Sequence, residues 1–195
     1  MHKLSLSQTE ISYGMTLAIL LSLINIRLVS IKVRSSIENS SFEEAQNRRV
    51  WVGINLGGCI VPIFFALYLL DEHSFNPYSA LILVVIVSAV VYPLSRVEGN
   101  RGLVINLFGA VASASIGGVL LGGEDYLVWA YMAAVLGTLI GGDLLHLAQF
   151  KHIRSAWKKG VFIGGAGLMD AIFLSGLFAM MAAEVVYQQQ FLTPF

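Results

Sequence analysis

Six apolar stretches, each separated from the next by a short polar or charged segment, organise the chain: Tyr13–Ser30, Trp51–Leu70, Tyr78–Leu94, Leu103–Leu121, Leu127–Ala148 and Val161–Val186. Crossing roughly 30 Å of hydrocarbon takes about 20 mostly apolar residues in a helix. A helix also satisfies its own backbone hydrogen bonds where no water is at hand. The pattern therefore predicts an all-α polytopic integral membrane protein, six transmembrane helices in one domain over residues 1–195. The first stretch lacks a small-residue cleavage site, and before it only Lys3 is a firm positive charge. It is expected to remain as a span rather than be removed as a signal peptide.

Polar positions between the stretches set the orientation. Arg27, Lys32, Arg34, Arg48 and Arg49 fall in or beside the first connection, Arg96 and Arg101 in the third, and Lys151, Arg154, Lys158 and Lys159 in the fifth. The second and fourth connections instead carry Asp71, Glu72, Glu124 and Asp125. By the positive-inside rule, loops 1, 3 and 5 face the cytoplasm and both termini lie outside. Aromatic residues agree: Tyr13, Tyr68, Tyr78, Tyr126, Trp129 and Tyr187 sit near outer ends, and Trp51, Tyr92 and Trp157 near inner ends. Amphipathic rings favour that headgroup level. In the first loop, Asn39, Ser40 and Ser41 precede Phe42, Glu43 and Glu44, a helix-start signal for a short surface helix.

Composition sharpens this reading. Of the 195 residues, 56% are hydrophobic and 12% charged, against about 25% charged in a soluble domain. Formal net charge is zero, and no basic stripe remains outside the loops, so no nucleic-acid partner is expected. The single cysteine, Cys59, cannot form an intramolecular disulfide and has no CxxC partner; it reads as a small buried apolar residue. No metal ligand set and no cofactor motif stand out. The bilayer itself is the first expected partner.

Glycines recur four residues apart, at Gly53 and Gly57, Gly118 and Gly122, Gly137 and Gly141, and Gly160 and Gly164. On one helix face such pairs let neighbouring helices approach closely, within one chain or between copies in a homo-oligomer. Gly141, Gly142, Gly164, Gly165 and Gly167 are the packing glycines nearest the candidate chemistry.

That chemistry rests on acids inside the spans, which cost roughly 2.5 to 3.5 kcal/mol each on insertion scales. Asp143 lies in the fifth stretch and Asp170 in the sixth. At about 1.5 Å per residue, Asp143 is about 10 Å from the inner end of its helix and Asp170 about 15 Å from the start of its own. If the two helices form an antiparallel hairpin, the carboxyls can face each other. Two carboxyls in a poorly solvated site cannot both ionise cheaply, so the pair tends to hold one proton. An aspartyl hydrolase needs that state, one carboxylate to activate water and one carboxyl to protonate the substrate carbonyl. Asn25, Asn55, Asn106 and His146 fall in the same cytoplasmic third. They could line a wet cavity, or they could simply bond helices together. His146 reads as a hydrogen-bond partner or interfacial residue rather than a ligand.

Gly141-Gly142-Asp143 and Gly164-Gly165-Ala166-Gly167-Leu168-Met169-Asp170, glycine-rich runs leading into an acid on successive segments, resemble the GxGD-type intramembrane aspartyl proteases, the group of presenilin, signal peptide peptidase and the prepilin peptidases. The resemblance implies Asp143 and Asp170 as the catalytic pair and a transmembrane-helix substrate. The chain departs from that pattern: no tyrosine precedes Gly141, two residues separate Gly167 from Asp170, and no Pro-Ala-Leu occurs. Over most of its length the chain is also similar to an uncharacterised prokaryotic family of small membrane proteins. Asn55-Leu56-Gly57-Gly58 with Pro62, Gly141-Gly142-Asp143-Leu144-Leu145 and Gly164 through Phe173 carry that likeness, which implies a prokaryotic plasma membrane. Two other function classes fit the same residues. One is a proton- or metal-binding transporter built on Asp143, His146 and Asp170. The other is a structural or assembly subunit of a membrane complex, its aspartates bonding helices together.

Overall fold

The computed structural model describes residues 8–33, 48–73, 76–98, 102–152, 160–165 and 170–192. The helix start at Asn39–Glu44, Gly167 and Trp157 lie outside the described residues. In chain order the elements are α1 (Gln8–Leu21), β1 (Asn25–Val33), β2 (Arg48–Asn55), a π turn (Leu56–Ile60), α2 (Val61–Glu72) and α3 (Pro77–Leu94). There follow β3 (Arg96–Glu98), β4 (Gly102–Val104), α4 (Leu107–Gly122) and, after a short 3₁₀ turn, α5 (Tyr126–Thr138). A second π turn (Leu139–Asp143) and a 3₁₀ segment (Leu144–His152) prolong α5, and β5 (Val161–Ile163) and α6 (Ala171–Leu192) close the chain.

The fold is mostly helical, but it is not six uninterrupted helices. The third apolar stretch becomes α3 almost to the residue, whereas the fourth opens in β4 with Leu103 and Val104 and is helical, as α4, only from Leu107. The first, second and sixth change conformation partway. Beyond Leu21 the chain turns into β1, which pairs antiparallel with β2 from Asn25↔Asn55 to Val33↔Arg48 across a bulge between Arg27 and Val29. After that bulge Val29, Ile31 and Val33 alternate with Ser30 and Lys32, a period of two that suits a pleated strand with its β-branched residues on one side. The sixth stretch opens as β5, parallel to β2 at Val52↔Val161. It is bounded by Gly160 and Gly164, both at positive φ, a conformation glycine reaches without steric cost. Among the described residues three helical runs are long and apolar enough to cross a membrane: 77–94, 107–149 and 171–189.

Caps explain where the full-length helices begin and end. Asn76 Oδ1 accepts the Tyr78 N–H at 2.9 Å beside Pro77 at the start of α3, and Asn106 Oδ1 accepts the Gly109 N–H at 3.1 Å at the start of α4. Such side chains satisfy first-turn donors that the helix leaves orphaned. Gly123, at φ +55°, ends α4.

Helix α5 is the axis of the bundle. From Tyr126 to Thr138 every residue except Leu127 and Leu136 is buried, as expected for a helix apolar all round. It is wrapped by α2, α3, α4 and α6. Gly118 of α4 lies against Ala130, and Gly142 beyond α5 lies against Ile105, so α4 and α5 run antiparallel. Gly137 and Gly141 meet Val87 and Ser88 of α3, and Gly176 of α6 meets Tyr131 and Val135. The ring of Phe65 in α2 contacts Tyr131 edge to face at 5.2 Å.

Large and small side chains are arranged inversely to a soluble core. In α4 the buried positions are Gly109, Ala110, Ala114, Ser115, Gly118 and Val119, while Phe108, Ile116, Leu120 and Leu121 are exposed. Helix α6 buries Ser175, Gly176, Ala179 and Ala183 and exposes Leu177, Phe178, Met181 and Val185. Small residues allow backbone contact inside, and the outward Leu, Ile and Phe side chains form an apolar surface far larger than a water-exposed protein carries. At one end of the bundle a second small core gathers around Val52, where Ile31, Val97, Leu103, Leu147 and Val161 pack together. Strands and turns from the first, third and fifth connections thus share one end.

Candidate functional site

Asp143 is set in place by two glycines. A Cβ on Gly141 would come 2.5 Å from the Ser88 carbonyl oxygen, and one on Gly142 would come 2.7 Å from the Ile105 side chain. The rod therefore lies directly on α3 and on the start of α4 at the point where its helical turn widens. Asp143 closes that widened turn and is 6% exposed. π turns of this kind insert one extra residue into a helix and redirect the side chains that follow. Among the described residues the Asp143 Oδ2 atom is buried without a hydrogen-bond partner.

Asp170 lies one residue before α6 rather than one-third of the way along a span. Its Oδ1 accepts the Ile172 N–H at 3.0 Å and its carbonyl accepts the Leu174 N–H at 3.0 Å. Asp170 is thus the N-cap of α6, a position that short acidic side chains favour. A helix running unbroken from Gly160 would place Asp170 within it. The strand Val161–Ile163 and the positive-φ turn at Gly164 use up that length instead.

Asp143 lies five residues beyond Thr138 and Asp170 five residues before Ser175, so the Thr138–Ser175 hydrogen bond between the antiparallel α5 and α6 brings the two acids to the same end of that seam. Cys59 belongs to the other π turn, and Gly164 packs on it so tightly that a Cβ there would sit 2.6 Å from both Cys59 Cβ and Cys59 N. The structure therefore gathers the end of α5, the cap of α6 and the turn into α2 around two acids. Cys59 is a small buried residue of the apolar core, as its sequence context suggests, and the turn that carries it packs against Gly164.

His146 follows Asp143 by three residues, is 3% exposed, and stacks at 4.7 Å on Tyr92 of α3 with its ring tilted by 38°. Its Nδ1 is the other buried side-chain atom without a partner among the described residues. The asparagines have different tasks. Fully buried Asn55 donates from Nδ2 to the Ser22 carbonyl at 2.7 Å and to Asn25 Oδ1 at 3.0 Å, and its Oδ1 accepts the Gly58 N–H at 2.7 Å. Asn25 and Asn55 thus tie the α1–β1 turn to the Cys59 turn. Gly57 permits this contact, since a Cβ there would lie 2.2 Å from the Ala18 carbonyl oxygen. Asn106 caps α4. Gly165 abuts the Phe162 carbonyl.

At the opposite end of the bundle is an acid that the sequence reading passed over. Tyr126 Oη donates to Glu184 Oε2 at 2.5 Å, and Gln188 Nε2 donates to Glu184 Oε1 at 2.7 Å. Its position inside the sixth stretch, four residues before Gln188, was a signal open to use. Nearby, His73 Nδ1 and Asp125 Oδ1 lie 2.9 Å apart and join the end of α2 to the start of α5. Midway, Thr138 Oγ1 donates to Ser175 Oγ at 3.1 Å across the α5–α6 seam, both residues being fully buried.

A family model described as "Protein of unknown function (DUF1614)" matches residues 19–182. No curated protein and no solved structure matches the chain. The match agrees with the broad likeness to an uncharacterised family, and the aspartyl-protease likeness rests on the motifs around Asp143 and Asp170 alone.

Proposed function

The chain belongs to the DUF1614 family of proteins of unknown function, and for it we propose intramembrane aspartyl hydrolysis of a transmembrane-helix substrate near the cytoplasmic leaflet. One observation carries the reading: among the described residues Asp143 Oδ2 is buried without a hydrogen-bond partner, at the end of the α5–α6 seam where Asp170 caps α6. A buried acid with an unused oxygen lowers stability, so its presence calls for a functional reason. Six chain segments enter or cross the bilayer, with loops 1, 3 and 5 in the cytoplasm and both termini outside; the basic connections and their shared end support this orientation.

The pair works with one proton between its two carboxyls. Water adds through its oxygen to the amide carbonyl carbon and gives one proton to the ionised carboxylate, while the protonated carboxyl gives its proton to the carbonyl oxygen. As the tetrahedral intermediate collapses, the carbon–nitrogen bond breaks. The nitrogen takes the proton that came from water, and the new carboxylic acid returns the other to the pair. One water is consumed and the site ends with the single proton it began with.

The test is cleavage of model helical substrates in proteoliposomes by wild type, Asp143→Asn and Asp170→Asn. Both variants are expected to lose cleavage by about 100-fold or more. Undiminished cleavage in both removes the pair from catalysis. A second reading, proton transport, draws on the same unpartnered atoms at Asp143 and His146. Proton flux in these proteoliposomes that is lost in Asp143→Asn, with no cleavage by wild type, selects it.

A further inference from the structure

Among the described residues, Asp143 Oδ2 and His146 Nδ1 are the buried side-chain atoms without a hydrogen-bond partner. They belong to one rod, three residues apart, where the π turn ending at Asp143 passes into the 3₁₀ segment beginning at Leu144. Residues three apart lie on one face of a helical rod, so both side chains leave it on the same side. Exposure agrees: Leu144 and Leu145 face outward, while Asp143 and His146 face in. The contact with Tyr92 holds the imidazole plane, and with it the direction in which Nδ1 points.

Two unsatisfied polar atoms on one inward face, each carrying a penalty, have a joint remedy. A carboxyl oxygen accepts or, when protonated, donates, and an imidazole nitrogen accepts or donates according to its tautomer. With Cβ atoms about 5–6 Å apart at this spacing, one water molecule can bond to both.

We propose that Asp143 Oδ2 and His146 Nδ1 together hold one water molecule, and that His146 is a positioning residue that presents this water to the carboxyl pair. The first half stands on the geometry; the second rests on the hydrolytic reading above. It also separates the two acids by role. Asp170 already uses Oδ1 to cap α6, whereas Asp143 has an oxygen to give to water.

The test uses full-length protein in lipid nanodiscs labelled with ¹⁵N-histidine, His146 being assigned by its loss in His146→Gln. The expected result is a hydrogen-bonded Nδ1 resonance that moves in Asp143→Asn, a change that keeps side-chain shape. An Nδ1 resonance characteristic of no hydrogen bond, or one identical in Asp143→Asn, overturns the water site. Kinetics test the second half. His146→Phe is expected to lower kcat by about 100-fold, the cost of a misplaced reactant, with KM unchanged, and His146→Gln, which can still bond water, to recover part of that loss. Cleavage that requires Asp143 and Asp170 but keeps full kcat in His146→Phe overturns the positioning role and leaves the hydrolytic reading standing. A shifted resonance in a wild-type protein that cleaves nothing overturns delivery to the pair and leaves the water site standing.

Discussion

Asp170 has two tasks that a single substitution can separate. Asparagine is as good an N-cap as aspartate, whereas alanine offers no acceptor to the Ile172 N–H. Asp170→Ala is therefore expected to destabilise the protein by about 1 kcal/mol, read as a lower melting temperature in detergent, while Asp170→Asn stays near wild type in stability and loses cleavage. Equal destabilisation by both would deny the cap. The two acids were legible in the sequence because a charge within an apolar run is costly wherever it lies. Their surroundings were not. The turn that carries Cys59 owes its place to the tight contact with Gly164, a pairing of distant segments that no local pattern encodes. Asn25, Asn55 and Asn106 were visible as polar residues near segment ends, yet their partners are backbone groups and each other rather than the acids.

Hydropathy found the apolar stretches but could not tell a buried strand from a buried helix, since both can be continuous runs of Val, Ile and Leu. Helix α3 matched because Asn76 provides a cap where its run begins, while Asn106 starts α4 later than its run, after Leu103 and Val104 have paired as β4. The first, second and sixth stretches departed because the end of each nearest the charged loops pairs with another rather than coiling on itself. Alternation at Val29, Ile31 and Val33 and the glycines around β5 were the available clues. Of the glycine pairs, Gly118 with Gly122 and Gly137 with Gly141 lie on the α4 and α5 rods at contacts that admit no side chain, whereas Gly53 lies in β2 and Gly160 and Gly164 bracket β5. Gly141→Ala is expected to cost about 1–3 kcal/mol by overpacking against the Ser88 backbone, and to displace Asp143 with it. Gly14→Ala, with nothing within 4 Å, is the control and is expected to be neutral or slightly stabilising through its better helix propensity. Equal melting temperatures for the two variants would contradict the close approach of the rod to α3.

Taken whole, the molecule is a bundle in which small residues line the contacts of α4 and α6 with α5, many large apolar side chains face outward, and the described strands gather at one end. This arrangement suits a protein whose solvent is lipid along the sides and water at the ends. The orientation can be read with single cysteines, since the native Cys59 is buried. Glu124→Cys, at the acidic end, is expected to react with a membrane-impermeant maleimide in intact cells, and Arg96→Cys, beside the small core around Val52, only after permeabilisation. The reverse pattern would invert the topology. The central claim, that Asp143 and Asp170 form one site, is tested most directly by infrared titration of their carboxyl bands in lipid bilayers, comparing wild type with Asp143→Asn and Asp170→Asn. Interacting acids give up their protons in two separated steps that belong to the pair, so the wild-type curve is expected to differ from the sum of the two single-variant curves. A wild-type curve equal to that sum would mean two independent acids, and would contradict the shared site.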